Sequence, residues 1–279
     1  MKLFQKIKKQ LIYRRKIAFL HIPKTGGTYI NQHESKQKPV LAPFIRLGHS
    51  YFSNERFNPL FAPHHNNLAK SIVRSTDFLK SHFVFSIIRN PFSFFVSYLF
   101  HAGYQGTQYA NPEHYDYDIA NKGFEYLLKT IANREDTWPN RKFLFLQLFT
   151  NQGSFVPSWL LRQETLDDDL KAMADFYNIN YRKKERQRVG GHANYKEFFD
   201  DQLVELVYKT WGRELRLYGY EFTGRIKNYP SLSGMIDDEN RENVRYTWSS
   251  DSLSINGKEI SERFFIQQPL IKLKIGGKT

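Results

Sequence analysis

Two kinds of segment alternate along the chain: short unbroken apolar runs that stop at glycine, arginine or proline, and longer stretches whose apolar residues recur at helical spacing. The first run is IAFLHI, residues 17–22. It is short, continuous and β-branched at its ends, which predicts a buried strand. It stops at Pro23-Lys24-Thr25-Gly26-Gly27-Thr28, and a helix is predicted from about Thr28. The second run, HFVFSII (82–88), predicts another buried strand and ends at Arg89-Asn90-Pro91. Asn90 suits a helix N-cap and Pro91 the first helical position, so a helix is predicted through PFSFFVSYLFH to about His101. Further helices are predicted over 122–132, 141–150 and 165–177, the last opened by Thr165 and Asp168 as a capping-box variant. Over 200–217, Leu203, Val204, Val207, Trp211 and Leu215 share one helical face, and Gly219 is the stop signal.

Between these elements, residues 35–66 and 102–118 are rich in Pro, Asn, His, Gly and Tyr and read as long loops. After about Arg225 the composition changes, and Asn256-Gly257 in SLSINGKEIS is a hairpin signal. The chain therefore divides into a basic arm (1–16), a main domain (17–225) and a β-rich extension (226–279). No internal repeat is visible. Strands alternating with helices predict an α/β domain built on a parallel sheet flanked by helices.

Composition narrows the partners. Hydrophobic residues make up 41% of the 279, with 24 Phe and 17 Tyr, enough for a sizeable core. The net charge of +13 favours an anionic partner, without choosing among nucleotide, nucleic acid, anionic glycan and lipid headgroup. Cysteine is absent, which excludes disulfides, thiolate metal sites and a catalytic thiol. No apolar run is long enough to span a membrane. The N-terminal MKLFQKIKKQLIYRRK lacks the apolar centre of a signal peptide. A soluble, cytoplasmic protein is expected; the arm's thin apolar face allows only weak association with a membrane surface.

Two constellations carry chemistry. The glycine loop after the first strand can bring its backbone N–H groups to one point, with Lys24 adding a charge and Thr25 and Thr28 adding hydroxyl donors. That suits a phosphate. It differs from the GxxxxGK[ST] loop of nucleotide triphosphatases, because the lysine here precedes the glycines. At the end of the second strand, Arg89 offers a fork that matches phosphate oxygens. Ser93 and Ser97 follow it, one helical turn apart on one face. In a parallel α/β sheet both segments fall beyond the carboxyl ends of strands, where ligands bind.

Taken together, HIPKTGGT and IIRNPFSFFVSYLF resemble the carbohydrate sulfotransferases that use 3′-phosphoadenosine 5′-phosphosulfate (PAPS). The likeness is to the branch with the heparan sulfate 2-O- and 6-O-sulfotransferases. The resemblance implies a P-loop kinase-like sulfotransferase fold. It places the 5′-phosphosulfate on Lys24, Thr25, Gly26, Gly27 and Thr28, and the 3′-phosphate on Arg89 and Ser97. Phe94 stands where the family often has an arginine, so that contact is not carried over. LRQETLDDDLKAM resembles the family's RxExLxxDxxxL helix. HANYKEFFDDQLVELVYKTWGRELRLYGYEF resembles its closing segment, with Phe198-Phe199 in place of tyrosines and Glu214 near the usual aspartate. The likeness spans about residues 17–222.

The reaction so implied is sulfuryl transfer from PAPS to a carbohydrate hydroxyl by in-line displacement, in polysaccharide biosynthesis. Lys24 would stabilise the leaving oxygen, and a histidine would take the hydroxyl proton. Among nine histidines, His49 in LGHSYF is favoured, because the 2-O-sulfotransferases carry a similar segment with a catalytic histidine. His21 reads as structural; His64 and His65 could line an acceptor cleft. No metal is expected, since Asp167-Asp168-Asp169 reads as a solvated helix start. The basic loop from Arg182 to Gly191 is either a lid over the 3′-phosphate or a solvated charged loop, and His192 and Asn194 lie where they could touch the nucleotide. Acceptor choice would lie in 35–66 and 102–140, with Tyr51, Phe52, Tyr104, Tyr109 and Trp138 able to stack on sugars. With neither anchor nor disulfide in the sequence, the expectation is a bacterial cytoplasmic enzyme, or else an anchored enzyme whose anchor has been removed. The rival readings are a non-catalytic binder of anionic glycan or nucleic acid and a P-loop nucleotide kinase. The second lacks a GK[ST] signature, and the first shows no nucleic-acid-binding motif.

Overall fold

The structure is a computed structural model; it describes residues 16–20, 22, 24–27, 29–30, 45–47, 82–101, 117–133, 148–149, 153–177, 194–226, 234–236, 244–247, 252–255 and 257–259. Its centre is a sheet whose first four strands are β1 (Lys16–Leu20), β2 (Ile45–Leu47), β3 (His82–Ile88) and β4 (Trp159–Arg162). A two-stranded hairpin, β5 (Tyr220–Glu221) and β6 (Gly224–Arg225), lies apart from it. The next strand, β7 (Gly234–Met235), completes the central sheet in the order β2-β1-β3-β4-β7. Strands β1 to β4 are parallel, and β7 runs antiparallel to β4. The strand at Trp159–Arg162 was not foreseen from the sequence, and β2 lies within the stretch read as loop.

Strand β3 shows why the sheet is central. Phe83, Phe85 and Ile87 pack into one apolar cluster, whereas Val84 and Ile88 pack into another on the opposite face. This period-two division, with both sets buried, marks a strand covered on both sides. Ser86, the polar residue in that run, is fully buried and donates its hydroxyl proton to the Leu20 carbonyl, 2.7 Å away on β1. On one face lie α1 (Pro91–His101), α2 (Tyr117–Ala132) and α4 (Asp201–Tyr218). On the other lies α3 (Leu166–Tyr177), with the helical turn that carries Tyr29 and Ile30.

The caps follow the sequence. Asn90 Oδ1 accepts from the Phe92 N–H at 3.0 Å, and its carbonyl accepts from the Phe94 N–H at 2.9 Å, opening α1 directly after β3. Asp200 Oδ1 caps α4 through the Leu203 N–H at 2.8 Å. Gly219 ends α4 in the left-handed conformation, φ 68° and ψ 44°. Phe92 meets Phe199, Tyr208 and Phe222 edge-on, so the start of α1 is clamped against α4 and the chain on both sides of it.

Three sequence expectations are corrected. Helix α2 begins at Tyr117 rather than 122, with a break at Gly123 (φ 80°). Of the helix expected over 141–150, residues 148–149 are described: Leu148 is in a tight 3-10 turn and Phe149 bridges Phe155 in antiparallel fashion. At α3 the carboxylate that meets Thr165 is Asp169, not Asp168: its Oδ2 accepts from the Thr165 hydroxyl at 3.1 Å and from the Arg162 N–H, at the end of β4, at 2.7 Å.

Beyond Arg225 the described chain is mostly strand. β8 (Val244–Thr247), β9 (Ser252–Ile255) and β10 (Lys258–Glu259) form an antiparallel sheet, with Gly257 at φ 72° in the β9–β10 turn. This part of the chain also supplies β7 to the main sheet, and Ile236 and Val244 belong to the main core. Among the described residues, no helix is long and apolar enough to cross a membrane.

Candidate active site at the carboxyl edge of the sheet

The strand order creates one distinguished place. From β1 the chain moves outward to β2, then crosses back to β3 on the other side of β1. The carboxyl ends of β1 and β3 therefore flank a topological switch point, where open α/β sheets bind ligands. Lys24–Gly27 follow β1 and Arg89 follows β3, so both anion-seeking segments of the sequence arrive at this crevice.

The loop after β1 is tightly wound. Lys24 has φ 64°, the only non-glycine positive φ among the described residues, and Gly26 has φ 107°. The Gly26 carbonyl accepts from the Tyr29 N–H at 2.9 Å, so a helical turn begins at once. Gly26 packs so closely on the turn after β4 that a Cβ there would lie 3.1 Å from Leu166 Cδ2 and 3.6 Å from Gln163 Cγ. Gly26→Ala combines a left-handed alanine with that contact, and about 1–3 kcal/mol of stability should be lost. Denaturant unfolding measures it; an unchanged midpoint would show that the loop is not held in this shape.

Thr25 corrects an expectation. Its side chain is fully buried and its hydroxyl donates to the Ile22 carbonyl at 2.8 Å. Thr25 therefore holds the loop's shape rather than offering its hydroxyl proton to a ligand.

Arg89 is tied to the loop directly. Its Nη1 donates to the Lys24 carbonyl at 3.2 Å, and its Nε donates to Ser93 Oγ at 2.8 Å. Two protein oxygens thus fix the guanidinium plane. Burial pushes its pKa down to about 10, opposed by the charge of nearby Glu164, so the group is a cation at neutral pH. The serine in contact with Arg89 is Ser93, which also donates to the Asn90 carbonyl at 3.1 Å. Ser97 lies one turn further along α1 and is 9% exposed. Phe94, where the resemblance offers an arginine, is in the core against Phe95.

The third segment at this edge follows β4, and sequence reasoning gave it no part in the site. Glu164 Oε1 accepts from the Asn90 N–H, and its Oε2 from the Tyr220 hydroxyl, both at 2.7 Å. Asn90 Nδ2 donates to the Glu221 carbonyl at 3.0 Å. The Arg162 guanidinium carbon lies 4.8 Å from the centroid of the Tyr220 ring. Asp167 accepts from the Tyr29 hydroxyl at 2.5 Å, linking the helical turn after the glycine loop to α3. The triplet Asp167-Asp168-Asp169 is thus no simple solvated helix start: Asp167 and Asp169 are engaged within the fold. Only the LRQETL resemblance pointed to this turn.

Thr28, His21, His49, His64, His65, the loop from Arg182 to Gly191, His192, and the aromatics Tyr51, Phe52, Tyr104, Tyr109 and Trp138 lie outside the described residues. Asn194, which was placed near the nucleotide, caps the short 3-10 turn at Tyr195–Phe198 through the Lys196 N–H at 3.2 Å.

The arrangement offers one lysine loop and one arginine, bound together over the switch point and backed by a carboxylate. It is suited to holding an anion. Neither a curated protein nor a solved structure matches the chain significantly. A family profile described as the sulfotransferase family matches residues 12–221, from the end of the basic arm to the turn that follows α4. That match covers the whole parallel part of the sheet and every residue of the crevice, and the chain belongs to the sulfotransferase family.

Proposed function

We propose that the protein transfers a sulfuryl group from PAPS to a hydroxyl of a carbohydrate acceptor, with the nucleotide held across the β1–β3 crevice. The observation that carries this reading is the bond from Arg89 Nη1 to the Lys24 carbonyl, which joins the two anion-binding segments at the switch point. PAPS is a substrate with charged groups at both ends of its ribose, and two cationic residues on adjacent loops fit that pattern. Gly26, packed closely on Leu166 and Gln163, holds the loop in the tight shape this reading needs.

In this reading Lys24, with the backbone of Thr25, Gly26, Gly27 and Thr28, binds the 5′-phosphosulfate. Arg89 binds the 3′-phosphate, with Ser97 further along the same helix face. The acceptor oxygen attacks sulfur as the bond from sulfur to the phosphate oxygen breaks. Charge grows on that leaving oxygen, and Lys24 is the residue assigned to stabilise it. His49 is assigned as the base that receives the hydroxyl proton. Sulfate carries less charge than phosphate, so these cations can meet the electrostatic demand without an added metal ion.

The test is a transfer assay. Radiolabelled PAPS is incubated with the protein and a panel of acidic and neutral polysaccharides, and label in the polymer is counted. Label in at least one acceptor, with matching release of 3′-phosphoadenosine 5′-phosphate, is the expected result. Label in none, with PAPS left intact, would count against the reading. His49→Ala should lower transfer by about two orders of magnitude or more while nucleotide binding persists; transfer at the parent rate would remove His49 from the base role.

A further inference from the structure

We propose that Glu164 is a positioning residue of the nucleotide site, holding the peptide between Arg89 and Asn90 so that the Arg89 fork is aimed at the 3′-phosphate. The inference rests on the reading of Arg89 given above and extends it to a residue that does not itself touch the ligand.

Glu164 uses both carboxylate oxygens on different parts of the chain. One accepts from the Asn90 N–H, 74 residues away, and the other from the Tyr220 hydroxyl, 56 residues away. The Asn90 N–H belongs to the peptide that joins it to Arg89, so this bond orients the backbone on which the guanidinium is mounted. Asn90 is also the N-cap of α1, which carries Ser93, and Ser93 receives Arg89 Nε. Arg89 is therefore constrained from three directions: through its own peptide by Glu164, at Nε by Ser93, and at Nη1 by the Lys24 carbonyl. A bidentate contact to phosphate depends on the fork's direction as well as its charge.

The other end of the device is equally fixed. Tyr220 is 1% exposed. Burial, with the neighbouring Glu164 charge, pushes its hydroxyl well above its ordinary pKa, so it remains a proton donor at any pH where the protein would work. Arg162 sits over its ring, and Asn90 Nδ2 reaches the Glu221 carbonyl in the next residue. The turn after α4 is thereby fastened to the turn after β3, with Glu164 between them. Its negative charge also favours the protonated state of Arg89, which burial alone would weaken.

The experiment measures, by calorimetry on the full chain, the affinities of 3′-phosphoadenosine 5′-phosphate and of adenosine 5′-phosphate. The parent, Glu164→Ala, Glu164→Gln and Tyr220→Phe are compared, with melting temperatures recorded. The decisive quantity is the ratio of the two affinities, which isolates the 3′-phosphate. Glu164→Ala should lower that ratio roughly tenfold or more, with little change for adenosine 5′-phosphate. Glu164→Gln keeps an oxygen for the Asn90 N–H and should restore most of the ratio. A folded Glu164→Ala protein with the parent ratio would overturn the proposal. So would a parallel loss for both nucleotides, which is what a merely structural residue gives. Should Glu164→Ala fail to fold, Tyr220→Phe decides: it removes one hydroxyl, and a parent ratio there overturns the proposal. A parent protein with no preference for the 3′-phosphate contradicts the reading of Arg89 itself, and this inference falls with it.

Discussion

Lys24→Ala should lower turnover by about two to three orders of magnitude, the usual cost of removing one donor aimed at developing charge. Nucleotide affinity should fall far less. The reason is the timing of charge. Before reaction the bridging oxygen of the phosphosulfate carries little of it; as the bond to sulfur breaks, that oxygen becomes part of a phosphate. An interaction that strengthens only in the transition state raises the rate constant rather than the affinity, so its loss is felt in turnover. The lysine's backbone is fixed in the left-handed region, φ 64°, with Arg89 on its carbonyl. Release of 3′-phosphoadenosine 5′-phosphate from PAPS, with and without polysaccharide, reports the effect. A variant that turns over at the parent rate would place the leaving-group role elsewhere.

The second large effect is expected at Arg89. Arg89→Ala should weaken binding of 3′-phosphoadenosine 5′-phosphate by about 100-fold, a value typical of losing charged hydrogen bonds from a sheltered site. Adenosine 5′-phosphate, lacking the 3′-phosphate assigned to Arg89 in the proposed reading, should bind nearly as before. Arg89→Lys should recover only part of the loss, since an ammonium is a point charge and cannot satisfy Ser93 Oγ, the Lys24 carbonyl and a phosphate with one planar fork. Equal losses for both nucleotides would mean that the substitution had collapsed the loop instead of removing a ligand contact.

The parts of this fold that the sequence showed are those that carry their own signal. FVFSII (83–88) is buried on both faces, so its apolar run is unbroken but for one serine. Asn90-Pro91 announces a helix because a side-chain oxygen and a fixed φ act locally. The spacing of Leu203, Val207, Trp211 and Leu215 and the stop at Gly219 mark α4 for the same reason. The strands that escaped notice are short: three residues in β2, four in β4, two in β7. WLLR merges in sequence with the helix behind it, and only pairing with β3 makes it a strand. Its existence is a tertiary fact.

The site divides along the same line. Lys24, Gly26, Gly27 and Arg89 were legible because a glycine pair beside a lysine, and an arginine closing a buried strand, are local patterns whose chemistry suits an anion. Their partners were not. Glu164 reaches Asn90 and Tyr220 across separations that no local pattern reports. Ser93 rather than Ser97 receives Arg89, a choice between two serines on one helix face that only the rotamer of the arginine decides. Thr25 read as an outward donor, yet its hydroxyl closes the loop on the Ile22 carbonyl. Asp169 read as solvated, but it ties the end of β4 to the start of α3.

The most direct measurement is calorimetric titration of the parent protein with 3′-phosphoadenosine 5′-phosphate beside ADP and ATP. Tight binding of the first, with both of the others much weaker, is the predicted result, because in the proposed reading Lys24 and Arg89 meet the two ends of that nucleotide. Equal or tighter binding of ATP, or no binding of any of the three, would contradict the account and remove PAPS from the β1–β3 crevice.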